Sequence, residues 1–360
     1  MNRSWCEIDL NAIRHNLTFV RKQVGPSVGV MPMVKADAYG HGIEKIAPLF
    51  QKERCDFIGC AQAMEGIRLR RLGVKLPILL LSGFLEEELE EIASKRLSIT
   101  VSSLNEAKKA QSWGKRTGFP ISVHVKVDTG MGRLGCSTNE ASSLLSFVEK
   151  ASHLNLEGFY SHYACADDSV RFTRTQWKRF SQIKSPPGVI RHICNAAGML
   201  SLPESHADLV RPGIVLFGSS PVPKFQPKLK PALSWYSRVV AIRSVPKGTT
   251  LSYGATYTTP RRMTIATLSV GYGDGFFRRI SNRGYVLIQG KRCKILGRVT
   301  MDQLVVDTSQ CPKVRKGEKA VLLGKSKKEA ITAGLMAQWA ETIPYEIWCH
   351  ITERVVKEYV

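Results

Sequence analysis

The 360-residue sequence has no Cys-x-x-Cys pair among its nine cysteines, and their number is odd and their spacing irregular. That argues against a zinc ribbon and against a disulfide framework. Reduced thiols in a cytoplasm are the simplest reading. No grouping of residues calls for a metal. Acidic residues are scarce beside basic ones: 30 Asp+Glu against 52 Lys+Arg leave a formal charge of +22. That balance suits nucleic acid, an anionic surface or acidic substrates, but it does not set the fold. No nucleic-acid motif with interleaved aromatics accompanies it, so a solvated basic surface is expected, with no nucleic-acid partner. The longest apolar stretch, Leu76 to Leu85, is broken by Pro77, Ser82 and Gly83 and falls short of the ~20 residues that span a bilayer. The opening MNRSWCEIDL lacks the apolar core of a secretory signal. A cytoplasmic protein without a membrane partner is expected.

What is present is a globular composition, 43% hydrophobic and 23% charged, in a chain long enough to bury a large core without staples. From residue 29 to 216, short apolar β-branched runs alternate with amphipathic stretches of roughly 10–15 residues. Eight runs lie near 29–36, 56–61, 77–82, 97–102, 121–128, 156–163, 190–194 and 208–216. Between them, Leu85, Leu89 and Ile92 of LEEELEEIASKR fall on one helical face, with acids early and bases late. Ser137 and Glu140 of STNEASSLLSFVEKA are spaced as a capping box. Alternating strand and helix predicts a parallel sheet with helices outside, and eight units in so short a span favour closure into a barrel over an open sheet.

Residues 219–231 hold four prolines and no apolar period, and read as a linker. Beyond it, SWYSRVVAIRSV, MTIATLSVGYG, GYVLIQGKRCKIL, QLVVDT and KAVLLG alternate between glycine turns, which predicts antiparallel strands. One helix is expected over ITAGLMAQWAETI. The predicted fold is α/β: an N-terminal (β/α)8 TIM-type barrel over 1–222 and a C-terminal, mostly antiparallel β-domain over 232–360. Residues 1–10 are expected to pair with the second domain.

The stretch VGVMPMVKADAYGHG ends an apolar strand at Lys35. A lysine at the carboxyl end of a barrel strand lies on the face where active sites form. Its amine, once partly desolvated, can form an imine with a carbonyl. A lone lysine there is ordinarily a surface residue; the surrounding run weighs against that. Asp128-Thr129-Gly130 is also the triplet of aspartic proteases, but their chemistry needs a second copy. Asp307-Thr308-Ser309 lacks the glycine. Gly271, Gly273 and Gly275 do not form a dinucleotide fingerprint.

The run Val34–Gly42, V-K-A-D-A-Y-G-H-G, resembles the pyridoxal-phosphate signature of bacterial alanine racemases. Eight further segments match in order: DTGMGRLG (128–135), FYSHYACAD (159–167), HICNAAGML (192–200), LVRPGIVLFG (209–218), LSYGATYT (251–258), VGYGDGFFRR (270–279), GRVTMDQLVVD (297–307) and PYEIWCHITERV (344–355). The resemblance covers nearly the whole chain. It implies a barrel followed by a β-domain, pyridoxal 5'-phosphate as cofactor, and a homodimer that interconverts L- and D-alanine for peptidoglycan.

The resemblance also implies roles. Lys35 holds the cofactor as an imine and serves as one acid/base. Tyr253, supplied by the other subunit, serves on the opposite face. A phenol with a pKa near ~10 needs donors or positive charge to act as a base, and His162, linked to Arg211, is the helper. Arg211 faces the pyridine nitrogen; as a permanent donor it leaves that nitrogen unprotonated and weakens the ring as an electron sink, which disfavours transamination. Arg133 contacts the cofactor phenolate and orients the substrate carboxylate. Lys126 is at a position that some members carbamylate, which would give Arg133 a negative partner. Met301 and Asp302 lie near the substrate carboxylate, and Met301, like Tyr253, completes the neighbour's site. Tyr39, Asn195, Ala196, Gly213, Ile214 and Tyr345 match the phosphate-binding positions.

The chain departs from the pattern at Ala196, where many members have serine, at Thr300, where some have cysteine, and at Pro344, where asparagine is common. Arg278 or Arg279 is expected at the substrate entrance. Alternatives are a serine or broad-specificity racemase, a basic amino-acid decarboxylase, and a non-enzymatic cofactor carrier. A decarboxylase would favour a carboxylate at the ring nitrogen rather than Arg211. A carrier would lack the second domain and Tyr253.

Overall fold

The computed structural model describes residues 2–360. Contacts divide the chain into two units. One comprises residues 13–38 and 42–230; the other comprises the residues up to 12, the short piece 39–41, and residues 231–360.

The first strand of the chain, β1 (Ser4–Ile8), belongs to the second unit. In the first unit every expected apolar run contains a strand: β2 (Gly29–Val30), β3 (Ile58–Cys60), β4 (Ile78–Leu80), β5 (Ile99–Val101), β6 (Ile121–Lys126), β7 (Leu154–Tyr160), β8 (Ile190–His192) and β9 (Leu209–Val210). All neighbouring pairs are parallel. Ladders join β3 to β4, β5 through β8 in sequence, and β2 to β9. Bridges Met33↔Gly59, Leu79↔Ser98 and Asn195↔Arg211 join the remaining edges, so the barrel closes. A closed parallel barrel has no edge strand, and its strands are apolar on both faces: Ile78, Leu79, Leu80, Ile99 and Val101 are fully buried.

Local chemistry sets the outer helices. Ser137 caps helix Thr138–Lys150, accepting from Glu140 N at 3.3 Å, while Glu140 Oε2 accepts from Ser137 N at 2.9 Å. The stretch 85–96 is shorter as a helix than its pattern suggests. A 3-10 turn covers Glu86–Glu88 and the helix runs Leu89–Ser94. Leu85 takes the extended capping position and stays exposed, while Leu89 and Ile92 are buried. Residues 219–231 are not a slack tether. Pro223–Lys228 form a 3-10 turn pinned by Gln226, which donates to Gly218 O (3.0 Å) and accepts from Ser220 N (2.8 Å). A polar side chain does there what an apolar period would do elsewhere.

In the second unit β10 (Leu233–Val245) is the spine. The hairpin β11 (Thr250–Leu251) and β12 (Tyr257–Thr258) follows, then β13 (Met263–Leu268), β14 (Tyr285–Ile288), β15 (Lys291–Leu296), β16 (Leu304–Asp307), β17 (Lys319–Ser326), β18 (Glu329–Ile331) and β19 (Val356–Tyr359). The main sheet has the order β18-β17-β14-β15-β16-β13-β10-β1-β19 and is antiparallel except for β1 against β19. The helix expected over ITAGLMAQWAETI is present as Ala333–Ala340, and a second, unexpected one follows directly at Pro344–Cys349. Glu341 turns left-handed (φ 56°) and ends the first. Pro344 cannot continue a helix but suits its first position. Among the described residues no helix is long and apolar enough to cross a membrane.

Candidate active site

The carboxyl ends of the barrel strands gather the candidate residues of the first unit. Val34 N donates to Gly59 O at 2.9 Å, the last ladder contact before Lys35. The chain then enters an unusual turn: Ala36, Asp37, Ala38 and Tyr39 have φ of 51°, 55°, 55° and 55°. Left-handed backbone costs a non-glycine residue roughly 1–2 kcal/mol. Specific contacts hold it. Glu65 Oε1 accepts from Ala36 N at 2.7 Å, and Asp37 Oδ1 accepts from Ile43 N at 3.0 Å at the start of the next helix. Strain of this kind persists where surroundings over-determine it, commonly at functional sites.

Arg211 follows β9 and is buried. Its Nη1 donates to His192 Nδ1 (2.6 Å); its Nη2 donates to Ser161 O (2.7 Å), Ile193 O (3.1 Å) and His162 Nδ1 (3.2 Å). Burial pulls its pKa down to about 10, which leaves it charged at neutral pH. His162, just past β7, is held well below the ordinary histidine range, first by burial and then by Arg211, Lys126, Arg133 and Lys35. Burial and the surrounding basic side chains therefore leave this imidazole neutral. Because arginine only donates, His162 Nδ1 accepts and its proton resides on Nε2.

Lys126 ends β6 and is buried, its Nζ 4.7 Å from the centroid of the Tyr160 ring. Burial, then Arg211 and Arg133, pull its pKa down to about 7 against the opposing pull of Asp128. Asp128 explains the Asp-Thr-Gly triplet. Its carboxylate accepts from the amides of Gly130, Met131 and Gly132, each at 2.8 Å, folding the loop that carries exposed Arg133. Asn195 caps helix Ala196–Ser201, accepting from Gly198 N at 2.8 Å, and Ala196 is buried at its first position. Gly213 precedes the 3-10 turn Ile214–Phe217.

The second unit holds the other candidates. The rings of Tyr39 and Tyr345 lie 5.9 Å apart, tilted by 41°. Tyr253 is at the tip of the β11–β12 hairpin and is 71% exposed. The tip is stiff: Ser252 and Ala255 have φ of 62° and 47°, Ser252 Oγ donates to Arg298 O at 2.6 Å, and a Cβ on Gly254 would fall 2.8 Å from the Arg298 guanidinium. Met301 is 52% exposed. Asp302 pairs with Arg354 at 2.7 Å, beside Asp274 at 3.3 Å. The Thr300 hydroxyl donates within its own turn, to Gln303 O at 2.8 Å. Of Arg278 and Arg279, Arg279 pairs with Glu341.

Three buried or half-buried residues escaped the motif reading: His192, His124 and Glu157. They continue from Arg211 into the barrel interior. His192 lies inside a matched segment, yet nothing in its spacing marks it as Arg211's acceptor.

Cations crowd this barrel mouth, and the nearby Asp128 carboxylate is already engaged by three amides. Such a site suits an anionic group at the carboxyl ends of the strands, and it marks the chain as an α/β-barrel enzyme. Family models for the alanine racemase N-terminal and C-terminal domains match residues 8–221 and 232–359. An alanine racemase of Carboxydothermus hydrogenoformans is 41% identical, covering 100% of both chains. That of Symbiobacterium thermophilum is 40% identical over 100% of this chain and 97% of the relative. The solved alanine racemase of Clostridium difficile 630 superposes with a TM-score of 0.93 at 34% identity, covering 100% of this chain and 96% of that one. The chain belongs to the alanine racemase family and is an isomerase.

Proposed function

We propose that the protein interconverts L- and D-alanine with pyridoxal 5'-phosphate, by a two-base scheme in which Lys35 and Tyr253 exchange the Cα proton on opposite faces. The observation that carries this reading is the Arg211–His162 contact at 3.2 Å among the surrounding basic side chains. The cofactor, when bound, delocalises the electron pair left at Cα when its proton departs. The residues suit such a group: Lys35, Arg133 and Arg211 supply positive charge, and phosphate and phenolate are anions.

Lys35 holds the cofactor and works from one face. His162, locked with its proton on Nε2, donates to the Tyr253 oxygen and favours the phenolate. Being neutral and donor-only at that nitrogen, it assists without taking the proton itself. Arg211 donates and cannot deliver a proton to the pyridine nitrogen, which limits transamination. Arg133 orients the substrate carboxylate, aided by Met301 and Asp302. Tyr39, Asn195, Ala196, Gly213, Ile214 and Tyr345 receive the phosphate. Lys126, with a large neutral fraction near pH 7, has the free amine that carbamylation requires.

The exposure of Tyr253 on a stiff hairpin tip supports its use by another subunit. The working form is a homodimer in which Tyr253 and Met301 complete the neighbour's site. We assign the barrel domain to 1–222, with residues 1–10 pairing with the β-domain, and the β-domain to 232–360, and place the activity in the cytoplasm, supplying D-alanine for peptidoglycan. The test is chiral chromatography of a panel of L-amino acids incubated with purified protein and added cofactor. Appearance of D-alanine well ahead of D-serine is expected. No D-product with bound cofactor would mean a carrier, and carbon dioxide release a decarboxylase.

A further inference from the structure

Behind Arg211 lies a line of polar side chains that the scheme above leaves unused. His192 Nε2 is 2.9 Å from His124 Nδ1. His124 Nε2 is 3.5 Å from Glu157 Oε2, which also accepts from Ser98 Oγ at 2.5 Å. Both histidines are fully buried, while the Glu157 side chain is 25% exposed. Arginine has no lone pair to offer, so one end settles the direction of the whole line. His192 Nδ1 accepts from Arg211, which puts the His192 proton on Nε2. His124 Nδ1 must then accept, which puts its proton on Nε2, toward the carboxylate.

The ionisation states agree. Burial, then Arg211, His124 and Lys126, keep His192 neutral. Burial alone would raise the Glu157 carboxyl, but contacts with His124 and Ser98 outweigh it and hold it below its usual range. A carboxylate therefore stands 3.5 Å from the far end of two imidazoles in series behind Arg211.

The backbone is shaped for this line. Val123 pairs with Leu156 and His124 with Gly158, so Glu157 is the extra residue of a bulge in β7. Bulges re-aim side chains. A Cβ on Gly158 would stand 2.6 Å from His124 Nδ1 and 2.7 Å from Ile190 O, so only glycine leaves room for the imidazole. Phe57 meets His124 edge-on at 5.9 Å, and Tyr160 stacks on His192 at 4.8 Å, which restricts both rings.

We propose that Glu157, acting through His124 and His192, is the remote counter-charge that positions Arg211 and fixes the direction in which its guanidinium donates. Glu157, His124 and His192 are positioning residues. The catalytic consequence rests on the reading of Arg211 given above; the tautomer chain does not.

The test uses protein labelled with 15N-histidine, studied without cofactor by NMR and with it by kinetics. Both His192 and His124 should carry their protons on Nε2 at pH 7. His124→Leu removes the acceptor; it should shift the His192 Nε2 signal and lower kcat about tenfold, the scale of one hydrogen bond to a charge-linked group, with KM nearly unchanged. His124→Asn places an oxygen near the lost Nδ1 and should restore most of both. Glu157→Gln keeps the shape without the charge, and should shift the His124 Nε2 signal and lower kcat less. If His124→Leu does not fold, the Asn and Gln variants carry the comparison. A His192 proton on Nδ1 would overturn the proposal. So would a folded His124→Leu protein with unaltered His192 signal and kcat, or a His124→Asn protein no better than the leucine variant. Correct tautomers in a wild-type protein that racemises nothing would refute the function proposed above and uphold the chain behind Arg211.

Discussion

Lys126 Nζ lies over the ring of Tyr160, 4.7 Å from its centroid, and the Arg211 guanidinium shares that ring at 5.1 Å. Two basic groups thus share one aromatic ring in a buried site. The ring offers each an attraction on the order of 1–2 kcal/mol, too little to offset burial and mutual repulsion. Lysine is the one of the two that can yield its proton, and its pKa falls to about 7.

A pH dependence of stability follows. The unfolded lysine holds its proton up to pH ~10.4, whereas the folded one releases it near pH 7. Between these values the unfolded state binds more protons, so stability rises with pH across that window and the penalty is fully present below it. The contribution is on the order of a few kcal/mol. Lys126→Met should raise the melting temperature at pH 6.5 and flatten its rise toward pH 10. Thermal melts of both proteins decide this; parallel curves would contradict it. With 13C-bicarbonate, only the parent protein should give a carbamate carbon signal.

Asp128 invites a second test. Its carboxylate holds three amides of the Arg133 loop, and charge-assisted bonds of this kind contribute roughly 1.5–3 kcal/mol. Asp128→Ala should loosen the loop and raise KM for alanine about tenfold or more, with less effect on kcat, because the proposed scheme gives Arg133 the task of orienting substrate and not of moving protons. Steady-state kinetics would show the split. A fall in kcat alone would place Asp128 in the chemistry.

The proposed pair of bases gives a third. Lys35→Ala should abolish the yellow absorbance of bound cofactor together with activity; cofactor fixed to the variant by borohydride reduction would show another attachment point. Tyr253→Phe should keep the colour and block exchange of the Cα proton mainly from L-alanine, read by deuterium incorporation into each enantiomer. Equal loss from both enantiomers would contradict a two-base scheme. Mixing Lys35→Ala and Tyr253→Phe proteins should recover partial activity, since a mixed dimer has one intact site.

Much of this was legible in the sequence for a physical reason. Strands of a closed parallel barrel are apolar on both faces, so Ile78–Leu80 and Ile99–Val101 stand out as short hydrophobic runs. Lys35, His162 and Arg211 sit in segments whose neighbours match a known pattern. The rest lies in backbone geometry that residue types do not announce. The turn Ala36–Tyr39 is left-handed without one glycine, sustained by Glu65 and by Asp37 itself. Glu157 sits in what reads as an ordinary strand, and the bulge that turns it toward His124 depends on pairing with β6. The Pro-rich stretch looked slack because Gln226, its anchor, is polar.

Arg211 offers a fourth prediction. Replacing it with glutamate places a carboxylate where a permanent donor stood. The ring nitrogen could then share a proton, and the ring would accept charge more readily. Pyruvate and the amine form of the cofactor should accumulate severalfold faster relative to racemisation, read by their absorbance and by coupled assay. The variant also strands His192 and His162 without their donor, so overall turnover should fall. An unchanged ratio of side reaction to racemisation would contradict the weak-sink argument.

Ala196 supplies the last. It is buried at the first turn of the helix that Asn195 caps, a position where family members commonly offer a serine hydroxyl. The barrel mouth is already rich in positive charge, so the missing hydroxyl removes one short-range donor from a site that electrostatics still favours. Ala196→Ser adds one oxygen in a buried place and tests whether the local packing leaves room for it. A net hydrogen bond is worth about 0.5–1.5 kcal/mol, so cofactor affinity should rise roughly two- to tenfold. Fluorescence titration of the stripped protein with pyridoxal phosphate measures this directly. Affinity for unphosphorylated pyridoxal should not change if, as proposed, position 196 faces the phosphate alone. A gain for both ligands would point to general tightening of the pocket, and a loss for both to a steric clash at position 196.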